Sequence, residues 1–154
     1  MSAEQLRDPV GAALDIFSEI KKELELRAKD DKEKLDFGRE LRARAREAPE
    51  LIEEVGLVPA LSFFYSKSDK IGYELMLKAI LLYLQRIQIV SLNINLDAIL
   101  RGEREGGNTD AMKAMIDLLR CLLKRSTVVV PILRPFLVEF KRLCEATWSE
   151  RGSP

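Results

Sequence analysis

Between Asp69 and Val90 the sequence reads DKIGYELMLKAILLYLQRIQIV, and this segment limits the possible folds more than any other. Its length and composition predict one long helix over about 69–90, with Ser68 as its cap. Apolar residues occupy nearly every side of that helix. Only a narrow polar stripe interrupts them: Glu74, Lys78, Gln85 and Gln88. A helix that is apolar almost all round must be covered on several sides. The longest apolar run, Leu75 to Leu84, is too short to span a bilayer and contains Lys78. The segment is therefore the central helix of a soluble bundle.

The other segments supply the covering helices. Asp8-Pro9 reads as an N-cap followed by proline at the first helical position. Val10, Ala13, Leu14, Phe17, Ile20 and Leu24 then recur at helical spacing, predicting a helix over about 9–28. A second helix is expected over 31–47, with Leu35, Leu41 and Ala45 inward. Pro49 and Pro59 each suit the start of a short helix, with Gly56 ending the first. A short helix is expected to end at Gly102, before an exposed loop GEREGGN. Asn108 can cap a helix over 109–125 with Met112, Met115, Leu119 and Leu122 inward. The segment STVVVP has strand-like composition but no partner strand, so it reads as the lead-in to a last helix reaching Trp148. In that helix Leu133, Phe136, Leu137, Phe140, Leu143, Cys144 and Thr147 share a face, and Pro135 falls near the end of the first turn. The expectation is an all-α, single-domain helical bundle over residues 1–150, with about five main helices plus short connecting ones, and a disordered tail at 151–154.

Composition restricts the chemistry. The chain has no histidine. That removes Ser/His and Cys/His nucleophilic pairs, most zinc sites and the commonest general base near neutral pH. Cys121 and Cys144 stand far apart without metal or redox spacing, and read as free packing thiols. Carboxylates such as Asp30-Asp31 and Glu53-Glu54 read as solvated helix faces. No catalytic residue, metal site, cofactor or small-molecule substrate is assigned, and the chain reads as a non-enzyme. Basic and acidic residues number 25 each. That balance argues against a freestanding nucleic-acid binder but leaves room for a local basic face. The first residues, MSAEQLRDP, are polar and carry no leader pattern, so a cytoplasmic protein with no membrane association is expected.

The most basic window is RELRARAR, in which Arg39, Arg42 and Arg46 line up on one face of the second helix. Aligned guanidinium groups suit phosphate contacts. Glu40, Glu47 and Glu50 lie close by, so a salt-bridged exposed face is the competing reading.

The stretch LRARAREAPELIEEVGLVPALSFFYSK resembles the central signature of one family. This is the small all-helical subunit of the Cmr effector, the type III-B CRISPR RNA-guided RNA-targeting complex. The resemblance rests on Pro49, Leu51, Ile52, Gly56, Leu57, Ala60, Leu61, Phe63, Ser66 and Lys67. The C-terminal FLVEFKRLCEATW is similar to the family's closing helix through Phe136, Phe140, Lys141, Arg142 and Ala146. The resemblance implies a non-catalytic structural subunit of a ribonucleoprotein complex in antiviral defence. Its partners would be copies of itself, other subunits and the guide/target RNA backbone. It points to Arg39, Arg42, Arg46, Lys67 and Lys70 as RNA-binding residues, with Lys124, Arg134 and Lys141 as further candidates. Lys67 and Lys70 are expected next to the arginine stripe, while Leu61, Phe63 and Phe64 anchor their helix. The alternative is a helical protein-interaction module, homo- or hetero-oligomeric, with no nucleic-acid contact.

Overall fold

A computed structural model describes residues 8–102 and 109–149. They form seven helices and no strand: α1 (Pro9–Arg27), α2 (Asp31–Val55), α3 (Leu57–Ser66), α4 (Ile71–Arg86), α5 (Leu96–Gly102), α6 (Thr109–Leu123) and α7 (Ser126–Thr147). The predicted loop at 103–108, the Asn108 cap and the tail lie outside the described residues. None of the described helices is long and apolar enough to cross a membrane.

The helix that is apolar all round lies at the centre. α4 packs against α1, α2, α3, α5 and α7. Leu75, Met76, Leu77, Ala79, Ile80, Leu81 and Leu84 are all essentially inaccessible. α1, α2 and α7 pack on one another around it, while α6 closes the other side against α3 and α5. Aromatic rings tie α1 and α7 together: Phe17 meets Phe140 at 5.7 Å and Trp148 at 5.6 Å. Tyr83 of α4 stacks on Phe136 at 4.4 Å.

Local signals set the first two helix starts. The Asp8 carboxylate accepts from the Gly11 N–H at 2.8 Å, and Asp30 accepts from the Glu33 N–H at 2.8 Å. The charge-dense RAKDDKEK thus contains the break between α1 and α2, at residues 28–30. On α1 the buried stripe runs through Ala12 and Ile16, leaving Val10 and Leu14 exposed.

Pro49 does not start a helix of its own, and the segment before Pro131 is already helical, so Pro135 lies beyond the first turn. Pro49 lies inside α2, and Pro131 and Pro135 lie inside α7. An interior proline costs about 3 kcal/mol. Burying one Leu, Ile or Phe returns about 1.5–3 kcal/mol. Ala45, Ala48 and Ile52 keep their phase across Pro49, as Val129, Leu133, Phe136 and Leu137 do around the other two. Burial wins. Pro131 and Pro135 are also exposed, so the carbonyls left without a helical donor face water.

Gly56 ends α2 and starts α3, its N–H donating to the Ile52 carbonyl at 2.9 Å. Its φ of 94° and ψ of 165° belong to a region essentially confined to glycine. α3 begins at Leu57, so Pro59 is its third residue, where the N–H has no helical acceptor anyway. Ser68 does not cap α4. Its hydroxyl donates backward to the Tyr65 carbonyl at 2.7 Å, and α4 starts after Lys70 with no side-chain cap. α4 stops at Arg86, and Gln85 donates to the Ser91 and Ile94 carbonyls at 2.9 and 2.8 Å, holding the following loop. Phe64 is buried, while Phe63 is 39% exposed and packs edge-on against Phe64 and Tyr73.

The polar stripe of α4 is not solvated. Glu74 is fully buried and Lys78 nearly so. Glu74 accepts two bonds from Arg27, at 2.8 and 3.1 Å. Arg27 also reaches Glu23 at 3.3 Å. Glu23 in turn pairs with Lys78, which meets Asp97 of α5 at 2.8 Å. One chain of charges therefore fastens α1, α4 and α5. Burial lowers the pKa of Arg27 and Lys78, but their carboxylate bonds outweigh it, and both are raised.

Candidate nucleic-acid interface

At about 100° per residue, Arg39, Arg42 and Arg46 fall within about 60° of one another on α2. Glu53 continues the same line about two turns beyond Arg46. On α7, Arg134, Lys141 and Glu145 share a face by the same arithmetic. The two helices run antiparallel, and these faces meet. Arg39 Nε donates to the Ser149 carbonyl at 3.2 Å. Arg46 Nε lies 3.6 Å from Glu145 Oε2. At the other end Arg134 donates from Nε and Nη2 to Glu53 Oε1, at 2.8 and 2.6 Å.

Arg42 is close enough to Cys144 to influence its thiol. Burial pushes the Cys144 pKa up, Glu145 adds to the rise, and Arg42 opposes it. Arg39 Nη2 and Arg42 Nε are buried without a hydrogen-bond partner. The seam is shaped by Gly38, one residue before Arg39. A Cβ there would stand 2.1 Å from Trp148 Nε1, so only glycine lets the indole pack this closely on α2. That contact brings the end of α7 onto the arginine row.

The structure thus gathers Arg39, Arg42, Arg46, Arg134 and Lys141 along one α2–α7 seam. The remaining predicted cations lie on neither α2 nor α7. Lys70 lines a cleft of about 750 Å³ with Arg27, Phe37, Glu40, Arg44, Asp69, Ile71 and Tyr73. Phe37, Glu40 and Arg44 are on the side of α2 turned away from the arginine row, so Lys70 is not beside it. Arg44, next in sequence to the row, lies over the Tyr73 ring at 4.4 Å and meets Glu47 at 3.1 Å. Lys67 is exposed just after α3, and Lys124 is exposed at the α6–α7 junction. Among the described residues no carboxylate lies within ion-pair distance of Lys67, Lys70, Lys124 or Lys141.

Sequence reasoning missed the acidic side of the seam. Glu145 stands one turn after Lys141, a spacing that signals a shared face. Glu53 carries no local signal toward Arg134, since only the antiparallel packing joins them. Cys121 is exposed, not packed in the core as predicted, while Cys144 is buried; both are free. Among the described residues no group of three or more metal-ligating side chains could hold an ion.

No curated protein and no solved structure matches the chain. The family model described as CRISPR-associated protein (Cas_Cmr5) matches residues 18–131, about three quarters of the sequence. That span runs from α1 through the α2 arginines and central α4 into the start of α7. The chain belongs to the Cas_Cmr5 family, the small subunit of the CRISPR Cmr complex.

Proposed function

We propose that this subunit is non-catalytic and contacts the phosphate backbone of guide/target RNA through the α2–α7 seam, copies stacking side by side in the complex. The supporting observation is the convergence of Arg39, Arg42, Arg46, Arg134 and Lys141 from two helices onto one line. Such contacts fix position without reading sequence. Lys67, Lys70 and Lys124, which lie on neither α2 nor α7, are outlying phosphate contacts.

Existing ion pairs do not preclude this role. The Arg46–Glu145 side chains are 49% and 33% exposed, and those of Arg134 and Glu53 are 52% and 57% exposed. Exposed pairs contribute about 0–1 kcal/mol. A phosphate, held by charge-assisted bonds and accompanied by counterion release, can replace them.

The test is replacement of Arg39, Arg42 and Arg46 by alanine, with RNA binding measured across salt. Loss of affinity and a shallower salt slope, by about 0.7–0.9 per lost phosphate contact, are expected. Unchanged affinity and slope would remove the RNA role. A second reading, a protein-interaction module without RNA contact, is favoured by the exposed apolar line Met112, Ile116 and Leu123 on α6. Pull-downs after nuclease treatment separate the two: partners retained by a chain with no RNA affinity support the module.

A further inference from the structure

We infer that Glu53 and Glu145 are built-in competitors for the seam's cations, occupying phosphate positions until RNA displaces them. The inference rests on the RNA-contact reading and adds a regulation to it. Two independent pairs support it, one at each end of the region where α2 and α7 cross-pair. Glu53 Oε1 takes both Nε and Nη2 of Arg134, at 2.8 and 2.6 Å. Those two donors are the edge of the guanidinium fork that a phosphate would use. Glu145 Oε2 stands 3.6 Å from Arg46 Nε, at the looser distance of a pair that is easily exchanged.

Each carboxylate reaches across from the opposite helix, so neither pair is an incidental neighbour within one helical turn. Each also leaves both partners partly in solvent. An incoming phosphate can therefore approach the guanidinium before the carboxylate has left. The carboxylates keep the arginine side chains extended along the seam. RNA then meets side chains already ordered, at the cost of evicting two acids. The consequence is a weak isolated subunit. Useful affinity comes from many copies acting together on one strand, and stray RNA is rejected.

The experiment uses the full-length chain and a fluorescently labelled RNA duplex, titrated from low to physiological salt. Glu53→Gln and Glu145→Gln keep the side-chain shape and remove the charge. Each should tighten binding by up to about fivefold, the ceiling for a partly exposed pair. Asp31→Gln serves as the control for general charge, because Asp31 is fully exposed on α2 and, among the described residues, pairs only with Lys34, at 3.7 Å. It should change binding less. The decisive arm is a double-mutant cycle: Glu145→Gln should give no gain once Arg46 is alanine, and Glu53→Gln none once Arg134 is alanine. Circular dichroism establishes that every variant is folded. Gains that persist without the paired arginine, or equal gains from Asp31→Gln, overturn the competitor role. If the glutamine variants change nothing while the Arg39/Arg42/Arg46 variant loses binding, the competitor role fails and the RNA surface stands. If no variant differs from wild type, or nothing binds even at low salt, both fail together.

Discussion

Replacing Arg27 by methionine tests whether the buried charge chain holds the bundle together. Glu74 is wholly inaccessible at the centre of α4 and receives both of its bonds to Arg27 from the one guanidinium. Removing Arg27 strips those bonds from a carboxylate that water cannot reach. Breaking a buried pair in this way costs about 3–5 kcal/mol. The reverse change, Glu74→Met, should cost less, roughly 2 kcal/mol, below the range for a fully buried partner. Arg27 would still have Glu23 at 3.3 Å, and its side chain is 24% exposed. The double variant Arg27→Met/Glu74→Met replaces the pair by apolar groups and should fall within about 1 kcal/mol of wild type. Urea unfolding followed by far-ultraviolet circular dichroism at pH 7 gives all three values. In a chain of this size about 4 kcal/mol corresponds to roughly 8–16 °C in Tm. An Arg27→Met loss under about 1 kcal/mol, or a double variant as unstable as the two single changes added, would refute the reasoning.

The remaining predictions concern the corner, alkaline pH and the seam. Gly56→Ala forces an alanine to a φ of 94° and should cost about 1–3 kcal/mol in urea unfolding; a neutral result would mean the α2–α3 corner relaxes freely. Lys78 has a raised folded pKa, because its bonds to Asp97 and Glu23 outweigh burial. Its contribution is therefore complete below the unfolded value of about 10.4 and is lost as pH rises through the folded one. Wild type should lose more stability than Lys78→Met across that alkaline window, in parallel thermal melts. At the seam, the arginine-to-alanine variant should lose RNA affinity and salt slope, and the Glu53 and Glu145 glutamine variants should gain affinity only while their arginines remain.

What the sequence disclosed and what it hid divide along physical lines. Helices are written locally, in caps such as Asp8 and Asp30 and in apolar spacing, so their existence was readable. Their ends were not always readable. Proline's local cost is visible in a sequence, whereas the burial that overrides it at Pro49, Pro131 and Pro135 depends on neighbours. The surroundings of the α4 stripe were hidden for a related reason. Periodicity separates polar from apolar sides but does not say what covers the polar one, and α1 and α5 bring Glu23, Arg27 and Asp97 to it. Arg39, Arg42 and Arg46 were visible as a row because one helix carries them. The meeting of Arg46 with Glu145, and of Glu53 with Arg134 further along, was invisible, because it needs the antiparallel register of α2 on α7. Lys70 shows the same limit in reverse: expected next to the row, it faces a cleft on the other side of α2.

That division also resolves how a chain with zero formal net charge can present a cationic line. The chain of charges across α1, α4 and α5 joins Arg27 and Lys78 to Glu23, Glu74 and Asp97, two cations against three carboxylates. The rest of the molecule therefore carries a formal excess of one positive charge. Along the seam Arg39, Arg42, Arg46, Arg134 and Lys141 face Glu53 and Glu145, with Glu50 beside them by helical position. The local balance is two positive charges. Screening confines the reach of exposed charges to about 8 Å at physiological salt, so a polyanion lying on the seam responds to that local balance and hardly to the total. A second copy approaching another face meets a nearly neutral body and is not repelled. Neutral overall charge and a positive seam are thus compatible demands on one small helical subunit, because the carboxylates that balance the total lie largely away from the seam.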